Sequence, residues 1–204
     1  MVLIVRAFRM LCVCVLFSGV ALAQHSSATA TSESTRVAGE YFIQKAGASW
    51  SYQMPPKGKA RLTITSFVEW KAGFSWSLGK RSVSGAWRIK EGAWLERSLS
   101  RGEGEMVVLP ALMSVGTRWQ APGSLDTGLK GNSWFEVLSL DAVVELPNNI
   151  TLTHCLAVLE TDSTGEKTYT HYYAPNIGKV ALRGPSDWVY VLVEFKPGSR
   201  GHQE

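Results

Sequence analysis

Cysteine is nearly absent from this sequence. Cys12 and Cys14 lie in an apolar stretch at the start, and Cys155 is the only other cysteine. The apolar start is predicted below to be a signal peptide that is removed, which leaves Cys155 alone. A single cysteine cannot form an internal disulfide, so the folded part must depend on its hydrophobic core alone. A folded domain of about 160 residues, as predicted below for residues 40–195, can do this because it buries roughly two thirds of the surface that it exposes when unfolded. We interpret Cys155 as a small buried hydrophobe rather than as a nucleophile or an intermolecular link.

Long hydrophobic runs are missing after residue 23. The first residues, MVLIVRAFRMLCVCVLFSGVALAQ, combine Arg6 and Arg9 with a short apolar run and the small residues Ala-Leu-Ala. This pattern is typical of a signal peptide, and the run is too short to span about 30 Å of hydrocarbon. We therefore predict a cleavable signal peptide over residues 1–23, cleavage after Ala23, a periplasmic or secreted protein, and no retained transmembrane helix.

A strong charge of either sign is also missing. The formal net charge is +4, which is too modest to indicate nucleic-acid binding. Basic residues exceed acidic ones before residue 121 and acidic ones exceed basic ones after it. The basic part could attract an anionic partner such as lipid headgroups or a polysaccharide. Lys57, Lys59 and Arg61 alternate, however, which favours the solvated face of a sheet.

The sequence contains none of the common catalytic or cofactor motifs: no Gly-x-Ser-x-Gly elbow, His-Glu-x-x-His, phosphate loop or dinucleotide fingerprint. His25 and His202 lie near the chain ends. His154 and Cys155 are strand neighbours that point to opposite faces, so they cannot grip one metal ion together. His154 is expected on the apolar face of its strand. We predict no catalytic residues, no metal site and no cofactor, and we do not expect an enzyme.

Helical periodicity is almost absent, whereas alternation with a period of two recurs. In residues 61–70, Leu62, Ile64, Val68 and Trp70 share one predicted face. Short runs of this kind, separated by Gly, Pro and Asn, predict an antiparallel all-β fold. With the curvature that the resemblance described below implies, we expect a single strongly curved sheet or open half barrel of roughly 10–12 strands. Little helix is expected beyond the signal peptide. We divide the chain into a signal peptide (1–23), a flexible Ser/Thr/Ala-rich leader (24–39), one β-rich domain (40–195) and a flexible tail (196–204).

One hairpin allows a prediction of register. Residues 87–99, WRIKEGAWLERSL, turn near Glu91-Gly92. A plain two-residue turn would place Leu95 opposite Arg88, whereas a type I turn with a bulge aligns Trp87 with Leu95 and Ile89 with Ala93. The second register separates apolar from charged side chains, so we predict it, with a positive φ at Gly92.

The eight tryptophans suggest both a core and a binding surface. We assign Trp50, Trp70, Trp87, Trp119 and Trp188 to the interior, because alternating apolar residues adjoin them. Trp76 and Trp134 have polar neighbours and are candidates for a partly exposed aromatic surface that could stack on sugar rings or hold an acyl chain.

Residues 168–182, TYTHYYAPNIGKVAL, combine a tyrosine-rich strand with a turn. Alternation places Tyr169, His171 and Tyr173 on one face, and these three complete our candidate ligand-binding set with Trp76 and Trp134. Pro175 cannot donate to a ladder, and Asn176 and Gly178 tolerate left-handed backbone angles, so the chain is expected to turn there and re-enter a strand.

Four segments in order resemble a broad group of uncharacterised exported bacterial proteins, which are β-rich and periplasmic or secreted. The segments are GEYFIQKAGASWSYQM (39–54), LPALMSVGTRWQ (109–120), ELPNNITLTHCLAVLE (145–160) and YYAPNIGKVAL (172–182). The chain departs from the group in having Ile43-Gln44 where Pro-Leu is usual and Asn148-Asn149 where Ala-Gly is usual. The resemblance implies a strongly curved sheet in an envelope protein and carries over no catalytic residues.

Three hypotheses about function follow. The first is an exported non-enzymatic binding module whose sheet encloses an apolar or amphipathic ligand such as a lipid or acyl chain. The second is a structural component of the cell envelope that docks another envelope protein. The third is a hydrolase of an envelope polymer, which gains weight if His171 and acidic residues converge in one pocket. A hollow or a filled sheet interior distinguishes the first hypothesis from the others.

Overall fold

The computed structural model describes residues 34–198 except 44, 56–57, 69–70, 79–80, 99–103, 125 and 147–148. The predicted signal peptide and the predicted tail beyond residue 198 therefore lie outside the described residues, as does Trp70. Folded structure begins before residue 40, the predicted boundary, because residues 36–40 form a short strand and a 3-10 turn in which Ala38 is fully buried. Within the described part of the chain, no helix has the length and apolar character needed to cross a membrane.

The described residues form fourteen strands and one short 3-10 helix, η1. These elements are β1 (Arg36–Val37), η1 (Ala38–Glu40), β2 (Ser49–Met54), β3 (Gly58–Val68), β4 (Lys71–Leu78), β5 (Arg81–Lys90), β6 (Ala93–Ser98), β7 (Met106–Leu109), β8 (Leu112–Met113), β9 (Arg118–Pro122), β10 (Asn132–Glu145), β11 (Thr151–Thr161), β12 (Thr168–Ala174), β13 (Gly178–Arg183) and β14 (Trp188–Lys196). The predicted all-β class is confirmed.

Twelve of these strands form one antiparallel sheet in the order β7-β6-β5-β4-β3-β2-β14-β13-β12-β11-β10-β9. Strands β2–β7 make one meander and strands β9–β14 make a second. Pairing of β2 with β14 joins the two meanders. The outer strands β7 and β9 come close together, and Nε1 of Trp119 on β9 donates a hydrogen bond to the carbonyl of Val107 on β7 at 3.2 Å. The expected single antiparallel, strongly curved sheet is confirmed, and the sheet is nearly closed.

The segment that follows η1 packs against inward-facing rings of both meanders. The ring of Phe42 lies 5.6 Å from that of Trp94 on β6, and the ring of Tyr41 lies 6.5 Å from that of Tyr173 on β12. The carbonyl of Glu40 accepts a hydrogen bond from the backbone N–H of Asn176, in the turn between β12 and β13. This segment therefore covers part of the sheet's interior.

The turn predicted within residues 168–182 is present. Strand β12 ends at Ala174 and β13 begins at Gly178. Asn176 and Gly178 have φ values of 59° and 85°, in the left-handed region that their residue types tolerate. A Cβ at Gly178 would lie 3.2 Å from the carbonyl oxygen of Tyr41, so glycine also allows the close approach of the 38–48 segment.

The predicted register of the β5–β6 hairpin is wrong. Arg88 lies opposite Leu95, Ile89 opposite Trp94 and Lys90 opposite Ala93, as a plain two-residue turn requires. Both turn residues, Glu91 and Gly92, have positive φ (52° and 82°), so the positive φ predicted at Gly92 is confirmed. The reason is the indole of Trp94, whose burial outweighs that of Leu95 because it removes more apolar surface from water.

Bulges overturn two predicted facings. Leu62 and Ile64 are buried, but an irregularity between Ile64 and Ser66 reverses the alternation, and Val68 is 65% exposed. His154 does not share an apolar face either. It has a φ of 57° at a bulge in β11, is exposed, and places Nδ1 2.6 Å from Oδ1 of Asp141. An extra residue in one strand shifts every later side chain to the other face.

The tryptophans predicted for the interior are divided between the core and its margin. Trp50 and Trp87 are buried, as predicted, while Trp119 and Trp188 are half-buried and pack against the core. Cys155 is fully buried, in agreement with its interpretation as a small hydrophobe, and burial raises the pKa of its thiol to about 11.

Candidate functional site

The interior of the curved sheet is hollow. A cavity of about 290 Å³ lies between the two meanders. The first meander contributes mainly aromatic and aliphatic side chains, and the second meander with the loop before β10 contributes most of the polar ones. From the first meander these are Tyr52, Leu62, Phe74, Trp76, Val83, Trp87, Trp94, Glu96, Met106 and Val108; from the second, Ser124, Asp126, Phe135, His171, Tyr173 and Lys179.

A second hollow, of about 370 Å³, lies where β7 and β9 approach each other. It shares Glu96 and Met106 with the interior cavity, and its other side is formed by the loop between β9 and β10, including Lys130. The two cavities are therefore neighbours at the seam of the nearly closed sheet.

A buried pair of His171 and Glu160 lies behind one wall of the interior cavity. Antiparallel pairing places His171 opposite Val158 and Glu160 opposite Tyr169, so both side chains point to the inner face. Nε2 of His171 lies 2.7 Å from Oε2 of Glu160, and the two side chains are 1% and 0% exposed. The other carboxylate oxygen, Oε1, accepts hydrogen bonds from the backbone N–H of Ser124 at 2.7 Å and from the hydroxyl of Thr127 at 3.3 Å.

The protonation state of this pair follows from its surroundings. Burial alone would raise the pKa of Glu160, but the hydrogen bond and charge of His171 and the Ser124 N–H outweigh it and lower that pKa. Burial lowers the pKa of His171, and the charge of Lys179 lowers it further, against the opposing effect of Glu160. Near neutral pH the carboxyl is ionised and the imidazole is neutral. The ring proton then sits on Nε2, which donates a hydrogen bond to the carboxylate of Glu160, and Nδ1 carries a lone pair.

A second ionic group faces the same cavity. Nζ of Lys179 lies 2.6 Å from Oδ2 of Asp126, and the hydroxyl of Tyr190 donates to the same oxygen at 2.7 Å. Burial alone would raise the pKa of Asp126, but Lys179 and Tyr190 together lower it; burial would lower the pKa of Lys179, but Asp126 raises it. Lys179 also lies over the ring of Tyr173, 5.6 Å from its centroid. This ammonium is therefore already neutralised by Asp126.

A third carboxylate reaches the cavity because of the hairpin register. Trp87 lies opposite Glu96, and both side chains point inward. Nε1 of Trp87 donates a hydrogen bond to Oε2 of Glu96 at 2.9 Å. In the register predicted from sequence, Leu95 would have occupied this inward position.

Two polar atoms of the cavity wall are buried without a hydrogen-bond partner among the described residues. They are Nδ1 of His171 and Nε1 of Trp94. Their rings both neighbour the ring of Tyr173, with centroids 6.5 Å and 5.9 Å away. Both atoms are shielded by the protein around them, and three further buried polar atoms without a partner among the described residues lie outside the cavity lining: Oη of Tyr41, Nε of Arg88 and Oγ of Ser133.

The structure brings together three of the five residues predicted to bind a ligand. Trp76, His171 and Tyr173 line the interior cavity. Tyr169 shares the inner face of β12 but lies half-buried outside the cavity lining, and Trp134 is 53% exposed on β10. The shared face of Tyr169, His171 and Tyr173 that alternation predicted is present, and it points inward.

Sequence reasoning missed Glu96, Asp126, Glu160 and Lys179. The sequence does hold a signal for Glu160, because it continues the alternation of Leu156 and Val158 and is thus a carboxylate on an apolar face. Asp126 comes from a loop, where an acidic residue is ordinarily solvated, and no sequence pattern marks it. Across the described ranges, no group of three or more His, Cys, Asp or Glu side chains is placed to hold a metal ion.

No protein-family model, no curated protein and no solved structure matches this chain. The geometry of the cavity is therefore the basis for inferring a function.

Proposed function

We propose that this protein is an exported binding module that holds a small amphipathic ligand inside its curved sheet. The observation that carries the proposal is the hollow interior, since large side chains from both meanders point inward and still leave about 290 Å³ between them. Ligand pockets in proteins occupy about 300–1,000 Å³, so the ligand is a small one. Export is the prediction made from residues 1–23.

The distribution of side chains supports an amphipathic ligand. Rings such as Phe74, Trp76 and Trp87 offer apolar surface along the first meander, while the polar atoms of His171 and Lys179 lie on the opposite side. An apolar body would gain free energy by leaving water, at about 25 cal/mol per Å² of buried apolar surface. A polar end placed toward His171 would keep its hydrogen bonds.

The neighbouring hollow at the β7–β9 seam supports a route into the cavity. Met106 and Glu96 border both spaces. Each of β7 and β9 has a strand neighbour on only one side, so these edges can separate without breaking a full ladder. The ligand would enter there, past the hydrogen bond between Trp119 and Val107.

Two measurements test the proposal. Native mass spectrometry of the protein purified from its own host should show a bound small molecule, and titration with medium-chain amphiphiles should show saturable binding. Val83→Phe adds a ring to the cavity wall and should abolish that binding, whereas Val143→Phe on the exposed surface of β10 should leave it unchanged. Equal binding by both variants would place the ligand elsewhere, and no binding by the unaltered protein would refute the proposal.

One observation favours a second candidate, a hydrolase. His171 lines the cavity together with the carboxylates of Asp126 and Glu96, and Glu160 holds the imidazole from behind, as a general base held by a carboxylate requires. Because Nδ1 of His171 is buried, the cavity wall would have to open before its lone pair could take a proton from water. Turnover of medium-chain esters that is lost in His171→Ala and kept in Glu194→Gln, which alters an exposed carboxylate on β14 outside the cavity, would support this candidate. Turnover that is unchanged in His171→Ala would exclude it.

A further inference from the structure

The ion pair of Lys179 and Asp126 is only partly buried, unlike the pair of His171 and Glu160. Its two side chains line the interior cavity and keep 18% and 17% of their surface accessible, whereas those of His171 and Glu160 are almost completely shielded. The pair lies on the same polar side of the cavity as the imidazole of His171. A molecule in the cavity can therefore reach this pair directly.

The two carboxylate oxygens of Asp126 are used differently. Oδ2 accepts hydrogen bonds from Nζ of Lys179 at 2.6 Å and from the hydroxyl of Tyr190 at 2.7 Å. Oδ1 has no hydrogen-bond partner among the described residues and, unlike Nδ1 of His171, it is not shut off from solvent. Lys179 and Tyr190 lower the pKa of Asp126, so the carboxyl is ionised near neutral pH and Oδ1 can only accept.

Lys179 supplies the complementary group. Asp126 raises the pKa of its ammonium, which therefore stays charged near neutral pH and carries three N–H donors. Oδ2 of Asp126 takes one of these donors, and Nζ makes no other hydrogen bond to the part of the chain that the structure describes. The pair thus offers the cavity a donor on Nζ beside an acceptor on Oδ1, and its two charges cancel.

A head group that fits this pair has an acceptor beside a donor and carries no net charge. A carboxamide has both, since its oxygen accepts and its NH₂ group donates. A ketone or an ester would accept from Lys179 but would leave Oδ1 of Asp126 unpaired. A carboxylate can only accept, so one of its oxygens would face Oδ1, which has the same charge. A hydroxyl would have to meet both groups with a single oxygen atom.

We propose that the interior cavity selects an amphiphile with a primary carboxamide head, which accepts a hydrogen bond from Nζ of Lys179 and donates one to Oδ1 of Asp126. This inference rests on the proposed function, because it names the ligand class of the same cavity. The alkyl body of the ligand lies along rings of the first meander such as Phe74 and Trp87. Because the amide is uncharged and both of its polar atoms are paired, burying it costs less free energy than burying a charged head.

Three compounds that differ only at the head test this claim. Octanamide, 2-nonanone and octanoate share one alkyl chain and one carbonyl carbon, which carries NH₂, CH₃ and O⁻ respectively. Binding to the full exported chain is measured by isothermal titration calorimetry at pH 7. We expect octanamide to bind about tenfold more tightly than 2-nonanone, because the ketone leaves the acceptor Oδ1 unpaired. Octanoate should also bind more weakly than octanamide, because an acceptor replaces the donor.

Each other result overturns a different statement. Equal affinity for octanamide and 2-nonanone, or tightest binding of octanoate, would overturn the carboxamide head and leave the binding function standing. Absence of binding for all three compounds, together with a failure of other medium-chain amphiphiles, would overturn the binding function itself and this inference with it.

Asp126→Asn tests the contact at Oδ1. Nζ of Lys179 can only donate, so the amide oxygen of the new side chain stays at the Oδ2 position and its NH₂ group takes the place of Oδ1. The cavity then offers two donors instead of a donor and an acceptor. We expect octanoate to become the tightest of the three ligands and octanamide to lose its preference over 2-nonanone. An unchanged order of affinities in a folded Asp126→Asn protein would refute the inference.

Asp141→Asn is the matched control. It also removes one carboxylate from an ion pair of 2.6 Å, but Asp141 and His154 are exposed and lie outside the cavity lining. The order of the three affinities should stay as in the unaltered protein, and the same reordering as in Asp126→Asn would contradict recognition by Asp126. If Asp126→Asn does not fold, ¹⁵N-labelled octanamide bound to the unaltered protein decides. One of its two amide protons should shift to lower field, and two unshifted protons would refute the contact.

Discussion

Glu160 and His171 form a hydrogen-bonded pair, Oε2 to Nε2 at 2.7 Å, in which both side chains are almost completely shielded from water. The pair joins β11 to β12, and through Ser124 it also holds the loop that carries Asp126. The carboxylate of Glu160 therefore positions both the imidazole of His171 and the loop that carries Asp126.

Replacing His171 with alanine should destabilise the protein by about 3 kcal/mol, because the change leaves a buried carboxylate without its principal donor. Urea unfolding followed by tryptophan fluorescence measures the change. The double variant Glu160→Leu with His171→Leu should recover much of the loss, since removing both partners leaves no unpaired charge. A double variant as unstable as the sum of the two single variants would contradict this account of the pair.

Acid should destabilise the protein in two steps. The pKa of His171 in the folded chain lies below its ordinary 6.5, and the pKa values of Glu160 and Asp126 lie below their ordinary 4.5 and 3.8. As the pH falls, the unfolded chain therefore takes up protons first, and unfolding is favoured. Stability is fully present above pH 6.5, declines below that value as His171 must charge, and declines further below 4.5. Thermal unfolding from pH 8 to pH 4 measures this, and His171→Phe should remove the first decline.

The β5–β6 turn should respond in opposite directions to two substitutions. Gly92→Val should destabilise the protein by about 1–2 kcal/mol, because a β-branched residue is strained at a φ of 82° and its Cβ would lie 3.0 Å from Cβ of Ala111. Glu91→Asn should stabilise it by a few tenths of a kcal/mol, because asparagine tolerates the positive φ found there. Chemical denaturation of both variants gives the comparison. A neutral Gly92→Val would contradict the observed turn type.

The seam between β7 and β9 should loosen when its side-chain hydrogen bond is removed. Trp119→Phe keeps a ring to stack on Phe135, whose centroid lies 5.3 Å away, but loses the donor to the carbonyl of Val107. We expect faster amide hydrogen exchange in β7 and β9 and faster exchange of a bound ligand. Trp134→Phe, on the exposed surface of β10, is the matched control and should change neither. Equal rates of ligand exchange in both variants would exclude the seam as the route by which a ligand enters.

Alternation in the sequence predicts strands and their inner faces well wherever a ladder is regular. It fails past bulges, as at Val68 and His154, because one extra residue reverses the facing and leaves no strong mark in the sequence. It also fails where two apolar neighbours compete for one inward position, as Trp94 and Leu95 do. Of the polar wall, only His171 was predicted from the sequence, since alternation placed it on one face with Tyr169 and Tyr173. Asp126 was not, because it meets Lys179 only through the folding of a loop across the sheet.

The two meanders are consecutive segments of the chain, and under the proposed function each would supply a different aspect of recognition. Residues 49–109 would mainly set the shape that an apolar body must fit, while residues 118–196 would supply most of the polar groups near a polar head. Substitutions in one segment can thus alter ligand length while substitutions in the other alter ligand chemistry. A chimera with residues 49–109 from one such protein and residues 118–196 from another would take its preference for ligand length from the first and its preference for the polar head from the second.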